Sequence, residues 1–118
     1  MEAHVPRLHH EDLDVYKASI NFLILANNLI EKIPKGNKVI VDQFKRASLS
    51  VPLNIAEGYG KKSIHEKMRF YDIARGSAHE CGAALDASKI LNFVDDQKYK
   101  EGKELLHRIV SMLVKMNK

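Results

Sequence analysis

The 118-residue sequence lacks tryptophan and contains only one cysteine, three prolines and six glycines. A single cysteine excludes an internal disulfide and predicts a reducing, cytoplasmic setting. Because turn-forming residues are scarce, a β-barrel or sandwich with many tight turns is disfavoured. The chain is therefore expected to fold as one compact helical domain with a single core.

Long apolar runs are also missing. The nearest candidate, INFLILANNLI at residues 20–30, is interrupted by two adjacent asparagines. It falls short of the roughly 18 to 20 apolar residues that span a bilayer. Residues 1–10 lack the apolar core of a secretory signal peptide and are interpreted as a flexible tail. Residues 11–118 are predicted to form the folded domain, and no membrane association is expected.

The charge balance is basic, with 19 lysines and arginines against 15 acidic residues and a net charge of +4. The excess is concentrated between Lys32 and Arg75, where ten basic residues face four acidic ones. Concentrated positive charge favours an acidic partner, and nucleic acid above all. The alternative interpretation is an ordinary solvated helix surface.

Sequence motifs give no support to catalysis or metal binding. Neither His-Glu-x-x-His nor Cys-x-x-Cys occurs in the chain. The adjacent residues His79, Glu80 and Cys81 would point to different sides of a helix, so they cannot share one metal ion. Cys81 lies among apolar positions and is interpreted as a small core residue. We therefore predict no enzyme activity, no metal and no cofactor.

Apolar residues recur at helical spacings in four segments. The predicted helices run from about residue 12 to 33, from 38 to 58, from 63 to 93, and from 95 or 96 almost to the end. Proline and glycine separate the first two, and Gly58 and Gly60 end the second. Short connections between four helices predict an all-α, antiparallel up-down-up-down four-helix bundle.

Pro52 lies well inside the second predicted helix. Proline removes one helix hydrogen bond and crowds the preceding turn, which costs about 3 kcal/mol or bends the helix. A separate helix that began at Pro52 would be only about six residues long, which is marginal in stability. We therefore predict a single helix with a kink at Pro52.

A hairpin of the second and third helices places Ser48 opposite residues 74–78. Gly76 lies in this small-residue patch, and a close helix crossing would explain a glycine inside a helix. The same register brings Arg46 near Glu80, where an ion pair is expected. The residues interpreted as structural groups or as contacts between subunits are Ser48, Pro52, Asn54, Glu57, Arg75, Gly76, Ser77 and Glu80.

Two stretches carry a distinctive pattern, FKRASLSVPLNIAEGYGKKS at residues 44–63 and FYDIARGSAHEC at residues 70–81. They resemble the 23S rRNA-intervening-sequence protein family. Its pattern is an arginine-rich helix, a Ser/Val-Ile/Val-Pro-x-Asn-Ile-Ala-Glu-Gly run, and then Ile-Ala-x-Gly-Ser-x-x-Glu. The resemblance extends from Leu13 to about Met116. One departure is Lys45, where the family often has arginine; lysine keeps the charge but lacks the planar fork.

The resemblance implies an antiparallel four-helix bundle that assembles into a ring, commonly a pentamer. It implies no activity, because the biochemical function of most of the family is not established. A related helical bundle accompanies reverse transcriptases in diversity-generating retroelements. The resemblance therefore implies a polymerase or reverse transcriptase as one class of partner.

Two functions remain open from the sequence. The first is a non-enzymatic oligomer that binds structured RNA or other nucleic acid, with several copies multiplying modest contacts. The second is a scaffold that docks a partner protein, which a large exposed apolar patch would indicate. The residues predicted to contact nucleic acid are Lys45, Arg46, Lys61, Lys62, Lys67 and Arg69.

Overall fold

The computed structural model describes residues 4–117 as one short 3-10 turn followed by four α-helices. The turn spans His9–Asp12, α1 Asp14–Glu31, α2 Lys38–Tyr59, α3 Ile64–Ile90 and α4 Asp96–Met116. This part of the chain contains no strand. The prediction of an all-α four-helix bundle is confirmed.

The four helices form a bundle of square cross-section. Contacts join α1 with α2, α2 with α3, α3 with α4 and α4 with α1, and the contact of α2 with α3 is the most extensive. Ser50 meets Ser77, and further along α2, Gly58 meets Tyr71. Residue numbers therefore rise along α2 as they fall along α3, so these two helices are antiparallel.

The core forms where apolar residues recur every three or four positions on each helix. Phe22 of α1 and Phe44 of α2 meet at its centre, with ring centroids 6.3 Å apart. Leu85 of α3 and Ile109 of α4 are fully buried around them. Burying a side chain of this size stabilises the fold by about 1.5–3 kcal/mol. Between residues 4 and 117, no helix has the length and hydropathy needed to cross a membrane.

Pro52 is buried inside α2, which continues without interruption from Lys38 to Tyr59. One turn earlier, the Ser48 hydroxyl donates to the backbone carbonyl of Lys45 over 3.2 Å. The prediction of one helix rather than two is thus confirmed, and the kink at Pro52 stays a prediction.

The N-terminal turn leads directly into α1. The backbone N–H of Leu8 donates to the Glu11 carboxylate over 2.6 Å, and the His10 ring packs edge-on against Tyr16 at 4.7 Å between centroids. Both histidines of the turn belong to the stretch that the sequence analysis assigns to a flexible tail. The first three residues of that predicted tail lie outside the described part of the chain.

Helices approach each other most closely at two glycines. A Cβ atom at Gly58 would lie 2.7 Å from the Tyr71 ring, and one at Gly102 would lie 2.6 Å from the Leu85 side chain. Gly76, by contrast, has no atom within 4 Å of its missing Cβ. The predicted close crossing at Gly76 is therefore wrong, because α3 buries its other side and turns this glycine outward.

Asp86 links α3 to α4. Its carboxylate accepts a 2.7 Å hydrogen bond from the Tyr99 hydroxyl and a 2.9 Å hydrogen bond from the Lys103 ammonium. The hydrogen bond from Lys103, followed by that from Tyr99, holds the pKa of Asp86 below its usual value of 3.8. A depressed pKa means that the ionised carboxylate stabilises the folded chain.

We expect Gly58→Ala and Gly76→Ala to change stability in opposite directions. Alanine at Gly58 would overpack the Tyr71 contact at a cost of about 1–3 kcal/mol. Alanine at the open Gly76 position should stabilise α3 by about 0.5–1 kcal/mol. Urea unfolding followed by circular dichroism, at one protein concentration, measures both changes. A Gly58→Ala variant as stable as the wild type would contradict the close contact.

Asp86→Asn should destabilise the fold in a pH-dependent way. At pH 7 we expect a loss of a few tenths to about 1 kcal/mol, since the pair with Lys103 is half exposed. Because the folded pKa is depressed, this difference should disappear as the pH falls through and below it. Urea unfolding at pH 7 and near pH 2 tests this expectation, and a difference of equal size at both pH values would contradict it.

Candidate nucleic-acid interface

The turn between α2 and α3 gathers four of the six predicted basic residues at one end of the bundle. Lys61 and Lys62 lie in the turn itself, and Lys67 and Arg69 lie in the first turns of α3. The other two lie in α2, about 15 residues before Lys61 and so roughly 22 Å away along the helix. The six residues therefore form two groups rather than one patch.

Two aromatic rings accompany the basic residues at this turn. The Lys61 ammonium lies 5.3 Å and the Arg69 guanidinium 4.8 Å from the centre of the Phe70 ring. The Lys67 ammonium lies 5.3 Å from the centre of the exposed Tyr59 ring. Such cation–π contacts contribute about 0.5–1 kcal/mol at exposed sites. The residues that we call the turn cluster are Tyr59, Lys61, Lys62, Lys67, Arg69 and Phe70.

Carboxylates offset part of the positive charge of the turn cluster. Lys61 pairs with Glu57 at 3.1 Å, and Arg69 pairs with Glu66 at 3.3 Å. Lys62 has no carboxylate within 4.0 Å in residues 4–117. Exposed ion pairs of this kind are worth only about 0.2–1 kcal/mol, so a phosphate group can compete for the cations.

Lys67 has a structural role within the cluster. Its ammonium donates to the backbone carbonyl of Tyr59 over 2.6 Å and to that of Gly58 over 3.3 Å. These carbonyls belong to the C-terminal turn of α2, where helix hydrogen bonding ends and a positive charge is favourable. Lys67 therefore ties the start of α3 to the end of α2 and fixes the geometry of the turn.

The two basic residues inside α2 have different surroundings. Lys45 borders the shallow groove between α1 and the N-terminal half of α2. Arg46 is exposed and donates to the side chain of Gln43. The predicted ion pair of Arg46 with Glu80 does not form within 4.0 Å in the described chain. Both side chains remain on the outer surface of the α2–α3 pair.

The polar residues of the family-like motif lie along the contact between α2 and α3. The hydroxyls of Ser50 and Ser77 are 2.8 Å apart, and the Asn54 amide donates to the carbonyl and hydroxyl of Ser50 at 2.9 Å each. The sequence analysis did not single out Ser50, although its position opposite Ser77 in the hairpin was a usable signal.

The charged motif residues find local partners instead. Glu57 pairs with Lys61, and Arg75 pairs with Asp72 at 3.7 Å within α3. These are pairs three or four residues apart on one helix, which contribute a few tenths of a kcal/mol each. Glu57 and Arg75 thus do not meet within one chain, as the hairpin register predicts.

No group of three potential metal ligands comes together in residues 4–117. Glu104 and His107 have the Glu-x-x-His spacing on α4, but di-iron bundles need two such motifs and two further glutamates. Cys81 is fully buried, and this burial, followed by the charge of Glu80, raises the pKa of its thiol to about 12. A buried neutral thiol is a packing group rather than a nucleophile.

Comparison with known proteins places this bundle in a family. The family model described as 23S rRNA-intervening sequence protein matches residues 11–115. The chain belongs to this family. The match covers all four helices, so the resemblance found in the sequence is confirmed for the whole bundle.

A solved structure shares the fold of this member of the 23S rRNA-intervening sequence protein family. It is a protein with unknown function from the S23 ribosomal protein family of Bacteroides thetaiotaomicron, with a TM-score of 0.81 and 22% sequence identity. The alignment covers 88% of this chain and 98% of that chain. The comparison with curated proteins gave no match. Membership in the family thus establishes the fold and leaves the activity to be argued from the structure.

We expect Cys81 to be unreactive in this 23S rRNA-intervening sequence protein. With a thiol pKa of about 12, roughly one molecule in ten thousand carries the thiolate at pH 8. A chromogenic disulfide reagent should detect no thiol in the native protein and one thiol per chain in urea. The control Ala83→Cys, at an exposed position of α3, should react at once. Rapid reaction of native Cys81 would contradict the buried assignment.

Proposed function

We propose that the chain is a non-enzymatic, self-associating protein that binds RNA through the turn cluster. The observation that carries this proposal is the convergence of cations on the Tyr59 and Phe70 rings at one end of the bundle. Stacking of a base on an aromatic ring is worth about 1–3 kcal/mol, and nearby lysines and arginines hold the flanking phosphates. The cluster combines both kinds of contact on one surface.

The chemistry of the cluster favours unpaired nucleotides and weak sequence preference. Its cations are flexible and exposed, and they suit phosphates rather than particular base edges. Unpaired loops of a structured RNA present bases that can stack, whereas paired bases are hidden within a helix. With three or four phosphates neutralised per copy, the logarithm of the affinity should fall with that of salt with a slope of roughly −2 to −3.

Self-association is the second part of the proposal. A homo-oligomeric ring, with five copies as the expected number, would repeat the turn cluster and multiply weak contacts to one RNA. Exposed apolar side chains on α2 and α3 support self-association, because Leu49, Leu53 and Ile73 are open to solvent in the isolated chain. We place this activity in the cytoplasm, where the free Cys81 thiol stays reduced.

The alternative function is a scaffold that docks a partner protein such as a polymerase or reverse transcriptase. The same exposed apolar side chains favour it, since contiguous apolar surface marks interaction sites. This alternative makes no use of the cations and rings of the turn cluster. Variants of the cluster therefore distinguish the two functions.

The test is fluorescence anisotropy of a labelled 20-nucleotide single-stranded RNA at about 50 and 200 mM salt. Replacing Lys62 and Arg69 by glutamate should weaken binding at least tenfold and reduce the salt slope by about one. The matched control replaces Lys35 and Lys100 by glutamate, which makes the same charge change at the opposite end of the bundle. This control should bind within about threefold of the wild type. Equal weakening by both variants, or no binding by the wild type, would overturn RNA binding at the turn cluster.

A further inference from the structure

One side of the bundle carries a ridge of exposed apolar side chains. Leu49 and Leu53, four residues apart on α2, are 48% and 58% exposed, and Ile73 on α3 is 40% exposed. Gly76 adjoins them with open space where its Cβ would be. We call Leu49, Leu53 and Ile73 the α2–α3 ridge. A pair of leucines at this spacing forms a projecting row of the kind that packs into a helical groove.

The opposite side of the bundle carries a groove between α1 and α4. Its volume is about 510 Å³, and the loop that precedes α4 closes one end. Half-buried apolar side chains form much of its lining, and Ile24 of α1, 56% exposed, borders it. The apolar lining includes Ile24, Leu25, Phe93, Val94 and Leu105.

The two surfaces lie on opposite faces because of the packing order. Each of α2 and α3 contacts the other and one helix of the remaining pair, so the α2–α3 face lies opposite the α1–α4 face. A projecting surface and a receiving surface on one chain allow head-to-tail contact between identical copies. Such a contact closes into a ring when the rotation between copies permits it.

We propose that the α2–α3 ridge of one copy packs into the α1–α4 groove of the next copy. This inference rests on the self-association part of the proposed function and names its two surfaces. The occupant of the groove is therefore a second copy of this chain, whose α2 would lie against α1 and α4 as an additional helix. Because Gly76 has no side chain, the backbone of α3 can approach the neighbouring copy closely.

Charges at the edges of the two surfaces are complementary. Arg46 and Glu80 flank the ridge, and neither forms an ion pair within 4.0 Å in the described chain. The groove is bordered by Glu101 and Lys98, which pair only with each other over a long 3.5 Å contact. Both signs are thus available on each surface, so docking need not leave a charge buried without a partner.

A ridge that packed on the ridge of another copy would be a different kind of contact. It would be two-fold symmetric and would pair two projecting surfaces, while the grooves of both copies stayed open. Head-to-tail docking instead uses both surfaces once per copy. The two arrangements respond differently to variants that block one surface at a time.

The experiment uses Leu53→Glu to block the ridge and Ile24→Glu to block the groove. Light scattering should find each variant at 13.4 kDa, the mass of one chain. Mixed in equal amounts, they should form a dimer of twice this mass, because Leu53→Glu keeps its groove and Ile24→Glu keeps its ridge. The control Ile90→Glu changes a residue that is 78% exposed and outside both surfaces, and it should assemble like the wild type.

Other outcomes overturn the inference in recognisable ways. An Ile24→Glu variant that stays assembled beside a monomeric Leu53→Glu variant would indicate ridge-on-ridge contact. Assembly that survives both variants would leave the ridge free for a partner protein, with the RNA-binding and self-association proposals untouched. A monomeric wild type would overturn self-association itself. Circular dichroism confirms helicity in each variant, and Leu53→Ser and Ile24→Ser repeat the test without adding charge.

Discussion

The close contact between α2 and α3 is the constraint on which the other features depend. Gly58 lets the Tyr71 ring approach the α2 backbone, where a Cβ atom would lie at 2.7 Å, and the Ser50 and Ser77 hydroxyls meet further along the same contact. Because two projecting backbones are held this closely, the turn between them is short and its basic residues are brought together. The same contact sets Ile73 beside the exposed leucines of α2. Both proposed surfaces on this pair therefore follow from one packing arrangement.

Much of this fold could be predicted from the sequence because helical period and burial are directly connected. The spacing of Phe44, Val51 and Ile55 predicts the buried side of α2, and all three are buried in the structure. The rotation of a helix about its axis is harder to infer, since a shift of two residues moves a side chain to the opposite side. Gly76 shows this limit: its position in the hairpin suggested a crossing, but the structure turns it to the outer surface.

The candidate site was less predictable because composition counts charges without their partners. The sequence indicated a basic middle region, yet Lys61 and Arg69 each have a carboxylate neighbour and Lys67 binds backbone carbonyls of α2. The rings that make the turn cluster distinctive contact these cations only after α2 and α3 pair. The groove between α1 and α4 required the position of the loop before α4, which no periodic pattern specifies. Features made by two or more elements thus emerged only from the folded chain.

The structure describes a small bundle whose chemistry lies on its outer surfaces rather than in an enclosed active site. Cations and rings at one end suit RNA, and apolar surfaces on two opposite sides suit contact between copies. The most direct measurement is light scattering of the wild-type chain, with and without RNA, at low and high salt. The account predicts a multiple of 13.4 kDa that survives high salt, because apolar contacts are not screened, and bound RNA that is released there. A monomer that ignores RNA at low salt would contradict it.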